Sequence, residues 1–258
     1  MKWAILTIVA AMAVFGLTLV HEVPYTPDDA LACCAAGSSD FDWTCPTEGG
    51  TKECHLHLGI PRAEFENTMH QNVFRTGTVF SPSPVSFVSP SDHYVVTVAQ
   101  HIDAETAGLS PYLKATAALW FVQCSVAYCY DSVLFGTENY WAFPCETLYL
   151  RQGDCEDTSV LLSSILEAMG FRTVLLDYEG HMAVGTEVEG ATGKSFVLAD
   201  GTYHYCESTA TLPTMIGSCA PEGEPEHIWH TGHGNMGTDI LNHAVSGYRY
   251  LFRSIFGI

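Results

Sequence analysis

Apolar residues recur at helical spacing after Cys155 and predict one long, well-bounded helix. Residues three and four positions apart share a face of an α-helix, and the apolar positions here follow that spacing. Asp154 stands at the N-cap position, and Gly170 supplies the end. The pattern predicts that one face packs on a core while serines keep the rest polar or small. The apolar positions are Val160, Leu161, Leu162, Ile165, Leu166 and Met169, and the serines are Ser159, Ser163 and Ser164.

Segments rich in β-branched and aromatic residues, with glycines between them, follow this helix. The glycines at positions 180, 190, 193 and 201 mark short loops, as expected between antiparallel strands. A helix that covers one face of such a sheet is typical of the α+β class. We therefore predict an α+β fold in which the helix that begins at Cys155 packs on an antiparallel sheet. The predicted strands are residues 171–178, 181–188, 194–200 and 202–209.

The region before Cys155 predicts a second helix and a stretch of irregular structure. Ser110 followed by Pro111 is typical of an N-cap and a first helical position, so SPYLKATAALWFVQCSVAYC predicts a helix. Prolines at positions 82, 84 and 90 interrupt the preceding region. Residues 61–110 therefore predict irregular structure with one strand in VSFVSPSDHYVVTVA.

Cys155, His181 and Glu207 are candidates for a catalytic triad. Backbone N–H groups at a helix N-terminus stabilise a thiolate, so the position of Cys155 favours reactivity. An imidazole can take the thiol proton, and a carboxylate can orient that imidazole. Taken singly, the three residues are more simply interpreted as a core cysteine, a strand histidine and a solvated edge charge. Their order and setting together favour the triad.

The residues around this triad resemble the transglutaminase-like branch of the papain-like cysteine enzymes, in its bacterial and archaeal cysteine peptidase form. The similar segments are PCETLYLRQGDCEDTSVLLSSILEAMGF, GHMAVGTEV and YHYCEST, within a region from about Leu119 to Gly217. The resemblance implies a papain-like core in which a cysteine starts a helix, a histidine opens the following strand, and an acidic residue lies on the next. Those roles fall on Cys155, His181 and Glu207.

The same resemblance implies acyl transfer on amide bonds of a protein or peptide substrate, through a thioester on Cys155 and with no cofactor. Peptidase, amidase and protein-glutamine transglutaminase activities remain open, and we favour hydrolysis because no additional domain to shelter the thioester is evident. Many family members carry Asp in a Leu-Asp-Pro setting, whereas this chain has Cys-Glu-Ser, so Asp200 is a second candidate for the acid. An inactive surface protein with the same fold is the alternative function.

An oxyanion hole would complete such a site. The backbone N–H of Cys155 is one donor by position. Gln123 and Tyr149 are candidates for the second donor, although either can instead serve packing or a helix terminus.

The N-terminus predicts a membrane-targeting segment. Residues 3–20 contain no charge, and this length favours a retained anchor over a cleaved signal peptide. Lys2 before the segment and acidic residues after it predict that the bulk of the chain faces the cell exterior, or is secreted if the segment is cleaved. We divide the chain into this segment (1–20), a cysteine-containing linker and extension (21–110) and a catalytic domain (111–258).

Cysteine and histidine clusters suggest disulfides and, as an alternative, a metal-binding surface protein. Ten cysteines suit an exported protein, and Cys33, Cys34, Cys45 and Cys54 predict a small disulfide-stapled loop. CHLH at residues 54–57 lacks the paired spacing of zinc sites. A second histidine group, His227, His230 and His233, lies in a predicted long loop and is more simply interpreted as solvated.

The overall charge argues against polyanionic partners. The chain of 258 residues carries 29 acidic and 10 basic residues, for a net charge of −19. Such a charge repels nucleic acid and anionic membrane surfaces. The 47% hydrophobic content permits a sizeable core, and the oligomeric state is left open by the sequence.

Overall fold

The computed structural model describes residues 39–71, 73, 75 and 83–232, and within them the chain has an α+β fold. The helices are α1 (Arg62–Met69), α2 (His93–Glu105), α3 (Pro111–Ser125), α4 (Asp131–Leu134), α5 (Pro144–Leu150) and α6 (Cys155–Ala168), with a 3-10 turn at Pro84–Phe87. The strands are β1 (Asp40–Thr47), β2 (Gly50–His57), β3 (Ala127–Tyr128), β4 (Gln152–Gly153), β5 (Arg172–Tyr178), β6 (His181–Glu187), β7 (Ser195–Val197), β8 (Thr202–Cys206) and β9 (His227–His230).

The main sheet has five antiparallel strands in the order β7-β8-β6-β5-β9. Strands β5 and β6 form a hairpin in which Tyr178 lies opposite His181. Gly180, in the turn between them, has φ +71°, a left-handed conformation that side chains other than glycine rarely adopt. This tight turn places His181 at the first position of β6, at one end of the sheet.

Helix α6 occupies the centre of the molecule rather than one side of it. We predicted a helix with one apolar face and a polar or small remainder, but its serines are also buried. The helix packs against β5 and β6 on one side and against α2, α3 and α5 on the other. Ser163 Oγ donates to Thr173 Oγ1 at 3.0 Å, and Ser164 Oγ donates to the Val160 carbonyl at 2.7 Å. The serine hydroxyls are therefore hydrogen-bonded inside the core, and the small size of serine lets the neighbouring elements pack closely against α6.

The prediction of irregular structure with one strand in residues 61–110 was wrong. The described part of this region contains α1, the 3-10 turn and α2. The Asp92 side chain caps α2 by accepting from the backbone N–H groups of Tyr94 and Val95. The buried positions Val95, Val98, Ala99 and Ile102 follow helical spacing rather than the alternation of a strand. The β-branched content of HYVVTV suggested a strand, but the cap and the spacing of buried residues determine the helix.

The segment predicted as a stapled loop is a β-hairpin that belongs to the main core. Phe41 and Trp43 lie on its buried side, where both rings contact Phe121 of α3. Cys45 and Cys54 are buried free thiols on the same side. Cys33 and Cys34 lie outside the described residues.

The predicted membrane segment at residues 1–20 also lies outside the described residues. Within the described ranges, every helix is too short or too polar to cross a membrane.

Candidate active site

The N-terminus of α6 presents Cys155 beside the end of the main sheet. Strand β3 pairs with β4 in parallel, with Tyr128 opposite Gly153, and this pairing fixes the chain just before Cys155. A Cβ on Gly153 would lie 2.7 Å from Cβ of Asp157, so glycine permits the tight entry into the helix. Cys155 is 8% exposed, and its thiol donates to Glu156 Oε2 at 3.0 Å.

His181, the first residue of β6, and Glu207, which directly follows β8, lie side by side. His181 Nε2 is 3.1 Å from Glu207 Oε2. Tyr205, on the same face as Glu207, donates its hydroxyl to Oε2 at 2.6 Å and lies 3.4 Å from His181 Nε2. Thr209 donates to Oε1 from its backbone N–H and from its hydroxyl, at 3.1 and 2.6 Å. Both carboxylate oxygens of Glu207 therefore accept hydrogen bonds, which fix the position of the group.

These contacts favour the ionised carboxylate. Burial works against ionisation of Glu207, but the hydrogen bonds from its three partners outweigh burial and lower its pKa to about 2. Sequence reasoning did not identify Tyr205 or Thr209 as site residues. The signal was present for Tyr205, because residues two positions apart on a strand share a face.

The start of α6 packs against the start of the His181 strand. Ser159, four residues after Cys155, donates its hydroxyl to the Met182 carbonyl at 3.1 Å. The thiol hydrogen bond in this structure goes to Glu156 rather than to His181. Since Glu207 occupies His181 Nε2, Nδ1 is the ring nitrogen left to accept the thiol proton.

The resting site keeps Cys155 protonated. Burial raises the pKa of the thiol, and the neighbouring Glu156 and Asp154 carboxyls raise it further. The thiolate therefore requires either reorientation of the thiol toward His181 or neutralisation of these acidic neighbours.

Replacement of Glu156 with glutamine should lower the pKa of the Cys155 thiol. The change removes a negative charge beside the sulfur while keeping the side-chain shape, so less free energy is needed to form the thiolate. The pH profile of Cys155 alkylation by iodoacetamide, followed by peptide mass spectrometry, should move to lower pH. Glu48→Gln, at an exposed position in the hairpin turn, is the matched control. An unchanged profile in Glu156→Gln would contradict this role of the carboxylate.

The two candidates for the second oxyanion donor contact residues other than Cys155 in this structure. Gln123 donates from Nε2 to the Glu207 carbonyl at 2.6 Å and to Thr214 Oγ1 at 2.8 Å, so its amide braces the segment that carries the acid. Tyr149 is 7% exposed and stacks on Phe65 with ring centroids 4.4 Å apart. Both side chains have structural roles, and the backbone N–H of Cys155 remains the donor available by position.

Asp200 does not contact His181 and is not the acid of this site. Its carboxylate lies 3.1 Å from Arg172 Nη1 and accepts from the Tyr203 hydroxyl at 2.8 Å. His230 Nδ1 lies 3.5 Å away. Asp200 therefore belongs to a separate, largely exposed charge group.

Among the residues that the structure describes, neither histidine group of the sequence forms a cluster of three metal ligands. His227 and His230 lie on β9, not in a loop, and their odd spacing places them on opposite faces; His233 lies outside the described residues. In CHLH, Cys54 faces the core while His55 and His57 face outward, where they pair with Asp42 and Asp40 at 2.7 and 2.8 Å.

Three buried aspartates beside Cys155 form an acidic cluster that sequence reasoning missed. Asp131, Asp154 and Asp157 are each at most 7% exposed, and one oxygen of each lies within 4.8 Å of the others. Asp131 Oδ1, Asp154 Oδ1 and Asp157 Oδ2 are buried without hydrogen-bond partners. Carboxylate oxygens are ligands for hard cations such as Ca²⁺ and Mg²⁺, so the cluster has the donor set to hold one.

Protons neutralise the cluster when no cation is bound. Burial raises the pKa of Asp131 to about 7. Burial, together with the nearby Glu156 and Asp131, raises that of Asp154 to about 9. The pKa of Asp157 is also raised, first by burial and then by its acidic neighbours.

The raised pKa values predict that the free energy of unfolding falls as pH increases. Above pH ~4 unfolded aspartates have released their protons, whereas the folded cluster still binds them. The stabilisation that arises from this difference in proton binding therefore decreases as the pH rises from ~4 to ~9. Urea unfolding across this range should show the decline, and Asp154→Asn should be less affected at the alkaline end. Added Ca²⁺ should flatten the decline above neutrality. A free energy that rises over this range, equally in both proteins, would contradict the prediction.

Comparisons with known proteins find similarity only among solved structures. No known protein-family profile and no curated protein matches the chain. A TGase structure aligns with 73% of this chain and 55% of its own, at 11% identity and a TM-score of 0.39. LapG of Legionella pneumophila aligns with 64% of this chain and 96% of its own, at 15% identity and a TM-score of 0.38. A candidate cysteine protease from Cytophaga hutchinsonii aligns with 68% and 65%, at 12% identity and a TM-score of 0.35.

Two of these neighbours are named as a TGase and as a cysteine protease, which are names of the class that the sequence motifs resemble. The chain spans about half the length of the TGase. At TM-scores and identities this low, the likeness itself carries no argument about activity, which has to be inferred from the residues of the site.

Proposed function

We propose that this protein is a cysteine-dependent enzyme that transfers acyl groups from amide bonds of a protein or peptide substrate through a thioester on Cys155. The observation that carries the proposal is the contact between His181, the first residue of β6, and Glu207, at the place where the first turns of α6, which begins with Cys155, pack on β6 through the hydrogen bond from Ser159 to the Met182 carbonyl. The proposed architecture is a papain-like, transglutaminase-like core.

The reaction begins when His181 takes the thiol proton at Nδ1. The Cys155 thiolate then attacks the carbonyl carbon of the amide, and the carbonyl oxygen becomes an oxyanion near the Cys155 backbone N–H. Collapse of this intermediate breaks the C–N bond, and the amine leaves with the proton returned by His181. The product on the enzyme is a thioester between Cys155 and the acyl group.

Glu207 keeps His181 oriented and stabilises its cation during both proton transfers. The three hydrogen-bond donors on Glu207 hold the carboxylate ionised and fixed in position, so the pair is organised before substrate binds. A hard cation bound by Asp131, Asp154 and Asp157 would add positive charge near Cys155 and so favour its thiolate.

We propose hydrolysis of the thioester as the main outcome. Tyr128 on β3 lies opposite Gly153, two residues before Cys155, and is 46% exposed, so a solvent-exposed side chain lies close to the nucleophile along the chain. A primary amine in place of water would give an isopeptide or amide crosslink. We further propose that residues 1–20 anchor or export the chain, so that the site faces the cell exterior.

A peptide assay with and without a primary amine tests this function. The full chain would be incubated with a library of glutamine-containing peptides, with products followed by mass spectrometry. Hydrolysis predicts cleaved or deamidated peptides in both conditions, and amine transfer predicts adducts only with the amine. The alternative, a binding protein with an inactive site, predicts peptide retention without product and no dependence on Cys155.

A further inference from the structure

Tyr205 occupies a buried position beside the His181–Glu207 pair. It lies on β8 opposite Gly185 of β6 and is 0% exposed. Its ring packs edge-on against the ring of Tyr178, with centroids 6.4 Å apart, and Tyr178 lies opposite His181 in the β5–β6 hairpin. Packing around the ring therefore holds the Tyr205 hydroxyl in place next to the pair.

The Tyr205 hydroxyl, the Glu207 carboxylate and the His181 ring form a closed triangle of polar atoms. The hydroxyl oxygen lies 2.6 Å from Glu207 Oε2 and 3.4 Å from His181 Nε2, and Oε2 lies 3.1 Å from Nε2. An ionised carboxylate only accepts hydrogen bonds, so Tyr205 donates to Oε2, and the proton of a neutral His181 is on Nε2. The hydroxyl oxygen retains a lone pair and is a second, more distant acceptor for this N–H group.

The plane of the Glu207 carboxylate depends on its hydrogen bonds. Rotation about the last side-chain bond of a glutamate is broad and roughly two-fold, so the bond itself does not select one orientation. Thr209 holds Oε1 through its backbone N–H and its hydroxyl, at 3.1 and 2.6 Å. Tyr205 holds Oε2, the oxygen that contacts His181.

We propose that Tyr205 is a positioning residue whose hydroxyl fixes the plane of the Glu207 carboxylate and, through it, the orientation and tautomer of His181. The inference rests on the proposed function, in which His181 takes the thiol proton at Nδ1. While Oε2 is fixed, Nε2 carries the ring proton and Nδ1 keeps its lone pair. If Oε2 can swing away, the ring also adopts orientations and tautomers in which Nδ1 is not the base.

Tyr205→Phe removes the hydroxyl and keeps the buried ring, so it tests the proposal in the full chain. With the best peptide of the library, kcat should fall by about 10- to 100-fold, the usual cost of losing a hydrogen bond to a charged group. KM should stay within about twofold, because Tyr205 acts through His181 rather than on the substrate. Thr209→Val should reduce kcat less, because the backbone N–H of residue 209 still donates to Oε1.

Tyr203→Phe is the matched control on the same strand and face. Tyr203 is 1% exposed and donates its hydroxyl to the Asp200 carboxylate at 2.8 Å, outside the site. This variant also loses a hydrogen bond to a carboxylate, so its thermal midpoint should fall as that of Tyr205→Phe does. Its kcat should be unchanged, which separates a loss of stability from a loss of positioning.

The proton on His181 can be located without any turnover. Two-bond ¹H–¹⁵N correlation spectra distinguish the two imidazole tautomers, and the signals that disappear in His181→Gln belong to this residue. Where the ring is neutral, the unmodified chain and Tyr203→Phe should show the tautomer protonated at Nε2. In Tyr205→Phe, the signals should shift toward the tautomer protonated at Nδ1.

Two results would overturn the proposal. One is an unmodified chain in which neutral His181 carries its proton on Nδ1. The other is a Tyr205→Phe protein with the kcat and the imidazole signals of Tyr203→Phe. A chain without Cys155-dependent turnover would instead refute the proposed function, and the nitrogen signals would still decide whether Tyr205 positions the histidine.

Discussion

Replacement of Cys155 with alanine should reduce turnover of an amide substrate by at least about 10³-fold while leaving the fold intact. The proposed reaction forms its covalent intermediate on this sulfur, and alanine offers no nucleophile. The methyl group fits the space of the thiol, so the buried N-terminus of α6 keeps its packing. Initial rates on the best peptide of the library, compared with the unmodified chain, measure the effect.

Cys219→Ala is the control for this experiment, because that cysteine is exposed and has no role in the proposed reaction. It should retain full activity. Far-UV circular dichroism and the thermal midpoint should be similar in all three proteins. Turnover by Cys155→Ala at the rate of the control would remove Cys155 from the mechanism.

Replacement of His181 with alanine should also lower turnover, by about 10²–10⁴-fold, the usual contribution of a general acid–base group. The variant should in addition alkylate more slowly at Cys155 near neutral pH. Burial and the adjacent carboxyls raise the pKa of the thiol, and we propose His181 as the base that takes its proton. Loss of the base therefore affects both the thiolate population and the departure of the amine.

His70→Ala serves as the matched control, since His70 is an exposed histidine at the end of α1. It should leave turnover and alkylation unchanged. If His181→Ala retained normal turnover, the His181–Glu207 pair would be a structural contact only.

The sequence predicted the centre of the fold well because local signals there agree with one another. Apolar residues recur at helical spacing in α6, and glycines separate the strands that follow. The type and order of these elements could therefore be predicted from residues close together in the sequence. The triad predicted from the order and setting of its residues includes His181 and Glu207, and these two side chains are in contact. What the repeat could not reveal was the burial of Ser163 and Ser164, because burial depends on elements distant in the chain.

The acidic cluster could not be predicted from spacing. Asp154 and Asp157 were interpreted as helix-start residues, which normally face solvent, and Asp131 lies more than twenty positions earlier. Only the packing of the 131–143 segment over the start of α6 brings their oxygens together. For the same reason, the contact between Glu105 and Cys54 of the hairpin could not be predicted, since residues 93–105 were expected to be partly strand and partly irregular.

Detection of the acyl-enzyme tests the central claim most directly. The full chain would be mixed with an active peptide, quenched in acid within the first turnover and analysed by intact mass and peptide mapping. The account predicts a mass increase equal to the acyl fragment, located on the peptide containing Cys155, released by hydroxylamine and missing from Cys155→Ala. Turnover of the peptide with no adduct on Cys155, at an undiminished rate in Cys155→Ala, would contradict it.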